Sequence, residues 1–113
     1  MIQILHNPRC AKSRQALAIL NESGKSVEVV EYLKNPPSVS ELQEIIAKLK
    51  IKPEELVRKK ESLFIENYKG KTFTDKQWIQ ILAEHPVLIE RPILIQGNKA
   101  VIGREEAKVR AFL

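Results

Sequence analysis

The order of apolar segments predicts an α/β fold with a mixed sheet. Three observations carry it. Residues 1–30 read strand, helix, strand; a two-residue hairpin lies near the C-terminus; and the block between them has helical spacing throughout.

The first strand covers residues 1–5, where Ile2, Ile4 and Leu5 are apolar, and His6-Asn7-Pro8 breaks it. Ala16, Leu17, Ile19 and Leu20 then recur at helical spacing, and Ser23-Gly24 ends that helix with Gly24 at C′. Val27, Val29 and Val30 form a second strand, parallel to the first because a helix joins them. Asn35-Pro36-Pro37 interrupts the chain, and Ser38 with Glu41 fits a capping box for a helix whose buried face is Leu42, Ile45, Ile46 and Leu49. Pro53 suits the first turn of a short helix through Leu56 and Val57. Residues 58–72 suggest only short helical turns. Thr74-Asp75-Lys76-Gln77 opens a further helix, buried through Trp78, Ile81 and Leu82 and stopped at His85-Pro86. Residues 93–96 and 99–102 flank Gly97-Asn98, a hairpin signal suited to a type II′ turn. Gly103-Arg104-Glu105-Glu106 opens the last helix, which Val109 and Phe112 dock.

The order is therefore β-α-β, a helical insertion over about residues 36–86, and β-β-α, within one domain spanning residues 1–113. A βαβ unit joined to a ββα unit is the thioredoxin-like arrangement.

Composition narrows the function. Hydrophobic residues make up 43% and charged residues 29%, as in a folded globular chain. The first residues have no basic leader, and no stretch approaches the ~20 apolar residues of a membrane span, so a cytoplasmic protein without membrane contact is expected. The net charge of +5 is dispersed, and its densest run is only Arg58-Lys59-Lys60, so no nucleic-acid partner is expected. A few arginines converging on a small anion account for the imbalance as well.

The chain has one cysteine, Cys10. One thiol makes neither an internal disulfide nor a multi-thiolate metal site, so no metal or bound cofactor is expected, and redox chemistry at Cys10 needs a second thiol from another molecule. Cys10 lies between the first strand and the first helix, where the helix's free N–H groups and dipole favour an anion. Arg9, Lys12 and Arg14 add positive potential, and Ser13 is placed for its hydroxyl to reach back to the sulfur. Such surroundings lower a thiol pKa below its free value of about 8.5.

The run His6-Asn7-Pro8-Arg9-Cys10-Ala11-Lys12-Ser13-Arg14 resembles the His-Asn-Pro-x-Cys-x-x-Ser-Arg signature of the glutaredoxin-coupled arsenate reductase family. Leu56-Val57-Arg58-Lys59, Glu90-Arg91-Pro92-Ile93 and Ile102-Gly103-Arg104 resemble that family's arginine segments, in order and over essentially the whole chain. The resemblance implies reduction of arsenate to arsenite. Cys10 would be the nucleophile, Arg58, Arg91 and Arg104 would bind the oxyanion, and His6 and Ser13 would support the thiolate. Glutathione would be co-substrate and glutaredoxin the protein partner. It also implies that Pro92 is cis and that Arg91, before it, lies beside the cysteine. Guanidinium forks match the oxygens of a tetrahedral anion, and their charge lets a thiolate approach it.

Two other readings start from the same residues. Spx-type regulators share this fold and bind RNA polymerase, but typically carry Cys-x-x-Cys where this chain has Ser13. A glutathione-linked thiol oxidoreductase acting on another substrate would also use an arginine-ringed thiolate. Taken singly, Arg58 reads as part of a solvated basic run and Arg104 as an ion-pair partner of Glu105 or a nearby carboxylate. His85 reads as structural, and Phe73 and Trp78 as packing residues.

Overall fold

β1 (Ile2–Leu5) and β2 (Val27–Val30) pair in parallel on either side of α1 (Ala11–Glu22) in sequence, with Ile2 opposite Val27 and Leu5 opposite Val30. β1 also pairs antiparallel with β3 (Ile93–Gln96), which forms a hairpin with β4 (Lys99–Ile102). The computed structural model, which describes residues 1–113, thus has one mixed sheet in the order β2-β1-β3-β4. Gly97 has φ +58° and Asn98 has no positive φ, which is the type II′ hairpin expected from Gly-Asn.

The chain forms two compact units. Met1–Asn35 with Arg91–Leu113 is one, and Pro36–Glu90 is the other. In the sheet unit, Ile2, Ile4 and Leu94 pack with Ala16, Ile19 and Leu20 of α1 and Val109 of α5 (Glu106–Phe112). Val27, Val101 and Phe112 border this core. Leu94 is fully buried at its centre. Leu94→Ala is expected to destabilise the protein by about 3 kcal/mol, checked by urea unfolding, because the removed atoms leave a cavity that rigid sheet neighbours cannot fill.

The last helix begins later than its sequence suggests. Gly103 stays in the sheet edge, its N–H donating to the Pro92 carbonyl at 2.9 Å, and α5 starts at Glu106. A Cβ on residue 103 would sit 3.2 Å from Val109 Cγ2, so the absent side chain lets α5 lie close to the hairpin. Arg104 consequently lies outside the helix.

The helical unit contains α2 (Val39–Leu49), α3 (Ser62–Asn67) and α4 (Asp75–Glu84), with single 3₁₀ turns at Pro53–Leu56 and Pro86–Leu88. Both predicted capping boxes are formed: Ser38 with Glu41 at the start of α2, and Thr74 with Gln77 at the start of α4. α2 ends on Lys50, a non-glycine residue at φ +58°. A short antiparallel bridge joins Val57 to Ile89. Phe73 meets Trp78 edge-on at 4.8 Å and Phe64 stacks on Trp78 at 6.3 Å, so Phe73 and Trp78 both serve packing as expected. No helix is long and apolar enough to cross a membrane.

Candidate active site

Asn7 builds the loop that presents Cys10. Its side-chain Oδ1 accepts from Arg9 N at 3.0 Å, and its carbonyl accepts from Cys10 N at 3.0 Å. Arg14 reaches back from α1 to the Pro8 carbonyl at 2.9 Å. These bonds close the Asn-Pro turn on itself. Cys10 is then the N-cap residue of α1, with extended backbone (φ −92°, ψ 121°), and its carbonyl accepts the first helical bond from Arg14 N at 3.0 Å. Its side chain is the sulfur, placed where a capping oxygen commonly sits.

The sulfur's electrostatics follow from that position. Burial is the largest single influence and by itself pushes the thiol pKa up. The opposing influences together outweigh it and leave the pKa below its ordinary value: the Ser13 backbone N–H, the Arg91 charge, the Lys12 backbone N–H and the Arg104 guanidinium. Arg104 Nη1 lies 3.9 Å from Cys10 Sγ and also donates to the Arg91 carbonyl at 3.1 Å. Arg104, placed between β4 and α5, thus ties together the cysteine and the residue before Pro92. The Arg91–Pro92 peptide bond is cis. Glu105 pairs with Lys108 at 3.9 Å, so the ion pair expected for Arg104 from sequence proximity is formed by another residue.

Ser13 acts differently from its sequence reading. Its hydroxyl is fully buried, lies 2.6 Å from His6 Nδ1 and accepts from Asn7 N at 3.0 Å. The hydroxyl is thus engaged by His6 and Asn7, and the Ser13 group that serves the sulfur is the backbone N–H. His6 in turn braces the loop through Ser13. Burial is the main cause of its lowered pKa, supplemented by Arg14 and opposed by Glu31. The linkage has a definite sign. A histidine whose folded pKa is depressed contributes stability that is fully present above its unfolded value near 6.5 and is lost as pH falls through the folded one. The melting temperature is expected to fall on acidification below about pH 6, and His6→Asn to flatten that dependence, measured by calorimetry over a pH series.

Arg58 is carried by the helical unit. Its Nη2 lies 3.3 Å from Glu61 Oε2, and its Nη1 donates to the Val87 carbonyl at 3.1 Å. Among the residues proposed from sequence, the sheet unit thus brings together Cys10, Ser13, His6, Arg91 and Arg104, while Arg58 belongs to the other unit. The sequence reading expected the helix-start N–H donors as a group and missed the bracing roles of Asn7 and Arg14. The Asn-Pro turn signal and the basic residue one helical turn after the cysteine were the cues. No group of His, Cys, Asp and Glu side chains is placed to hold a metal ion.

Known proteins share this sequence pattern and fold. The chain is 40% identical over 114 residues to an arsenate reductase of Neisseria meningitidis, covering 99% of this chain and 97% of that one. It is 39% identical over 110 residues to the uncharacterized protein YfgD of Escherichia coli, covering 96% and 92%. The fold superposes on the solved arsenate reductase of Vibrio cholerae with a TM-score of 0.93 at 38% identity, covering 99% and 97%. Residues 5–112 match the ArsC family. A cysteine at a helix start, two arginines beside it and a thioredoxin-like sheet beneath it thus sit in a chain that, by family match, sequence and fold alike, belongs to the ArsC family.

Proposed function

We propose that this protein reduces arsenate to arsenite, with Cys10 as the nucleophile. The observation that carries the reading is the placement of Arg104 and Arg91 on the sulfur of a helix-capping cysteine, in a chain whose relatives bear the name arsenate reductase. The Cys10 thiolate attacks arsenic and displaces one oxygen as water, forming an S–As bond. Arg91 and Arg104 hold the remaining oxygens and offset the charge of two anions brought together. Arg58 is the third arginine on the strength of the family signature.

The lone cysteine makes the remaining steps depend on outside thiols. Conversion of As(V) to As(III) takes two electrons. Glutathione then displaces a second arsenic oxygen as water, and a glutaredoxin thiol attacks the glutathione sulfur, breaking its bond to arsenic. The two sulfurs leave joined as a mixed disulfide, and their electron pair stays on arsenic. Hydrolysis of the S–As(III) bond releases arsenite and returns the Cys10 thiolate. Steady-state assays of arsenite production test the coupling. Turnover is expected with glutathione and glutaredoxin together and to collapse when either is omitted. Equal turnover with thioredoxin would overturn the glutaredoxin assignment, and absence of arsenite with every thiol donor would overturn the substrate.

A further inference from the structure

The helical unit carries a second feature that the chemistry at Cys10 does not use. A cavity of about 500 Å³ opens beside α3 and the turn after it, with Phe64, Ile65 and Trp78 among its lining residues. Its remaining lining is strongly basic. Lys59 is paired with Glu54 at 2.6 Å, but Lys60, Lys69 and Lys71 are exposed and in no ion pair. Ile65 is 49% exposed, one of the few large apolar side chains left open to water. Trp78 carries a buried indole N–H without a hydrogen-bond partner. Uncompensated cations around uncovered apolar surface form a charged rim about an apolar centre, the anatomy of a protein interface.

We propose that this cavity is a docking site for an acidic segment of a partner protein that presents an apolar side chain between carboxylates. The apolar anchor covers Ile65 and the edge of the Phe64 ring, while the flanking carboxylates meet Lys60, Lys69 and Lys71. Charge complementarity selects this occupant. A compact inorganic anion gains nothing from the apolar floor. A single-stranded nucleic acid binds by stacking bases on exposed aromatic faces, and here Trp78 is 3% and Phe64 7% exposed. The proposal does not depend on the reading of Cys10.

The test uses the full chain, isotope-labelled, titrated with three probes: a short peptide of leucines flanked by glutamates, the same peptide with serines for leucines, and an oligothymidylate of equal charge. The leucine peptide is expected to shift the amide signals of Ile65, Gly70 and Lys71 and the Trp78 indole signal. The combined variant K60E/K69E/K71E is expected to weaken that binding by about tenfold or more, and Ile65→Ser by about threefold. Both variants should keep the wild-type spectrum elsewhere, since every replaced side chain is exposed. Equal affinity for the serine peptide, tighter binding of the oligothymidylate at the same residues, or shifts scattered over lysines away from the cavity would each overturn the proposal.

Discussion

Replacing Cys10 by Ser is expected to abolish arsenite production, lowering turnover by at least about 10³-fold, with the far-UV circular dichroism spectrum unchanged. The reasoning is local. The backbone donors of Lys12 and Ser13, the Arg91 charge and the Arg104 guanidinium act on whatever atom occupies the Sγ position. A thiol gives up its proton in such surroundings more readily than a free thiol does, whereas a serine hydroxyl keeps its own. A serine at the N-cap is also a good capping residue, so the helix start survives and the loss is chemical rather than structural. Undiminished turnover in this variant would remove Cys10 from the mechanism.

Arg104→Ala is expected to have the next largest effect, a loss of about 10²-fold in kcat/KM for arsenate, the usual consequence of deleting one donor to a developing oxyanion. This side chain touches both the sulfur and the Arg91 carbonyl, so its removal has a second signature. In the wild type, iodoacetamide alkylation of Cys10 should reach half its maximal rate at a pH below the value of about 8.5 for a free thiol. In Arg104→Ala that midpoint should move up. Arg104→Lys restores the charge but not the fork, and should recover the midpoint more fully than it recovers kcat/KM. An alkylation profile identical in wild type and Arg104→Ala would detach Arg104 from the thiolate.

How much of this could be read from the sequence depended on how local each determinant is. The Ser38 and Thr74 caps, the Gly24 helix end (φ +75°) and the Gly97-Asn98 turn depend on a few adjacent residues, and each was legible. The start of α5 was not. Gly103 reads as a helix opening, yet its N–H is taken by Pro92, a residue that only the hairpin brings near. Lys50 closes α2 in a left-handed conformation that usually announces itself through glycine or asparagine. α3 lay in a stretch whose apolar spacing is too sparse to declare a period, and packing of Phe64 against Trp78 accompanies it in the fold. In the site, residue identities were legible but atomic roles were not. Cys-x-x-Ser invites a hydroxyl-to-sulfur bond, but the loop holds the His6 ring against that hydroxyl instead.

The sulfur at the head of α1 has a reciprocal consequence. Groups that draw a proton off Cys10 are, by the same free energy, groups that the thiolate holds in place. Its depressed pKa means that this contribution is complete above the unfolded thiol value near 8.5 and fades as pH falls through the folded one. Alkylation of the sulfur with a neutral group removes a negative end-group from the first turn of α1. Heat resistance thus becomes a gauge of occupancy: the protein with a free thiolate should melt higher than the same protein carrying a neutral alkyl group on Cys10.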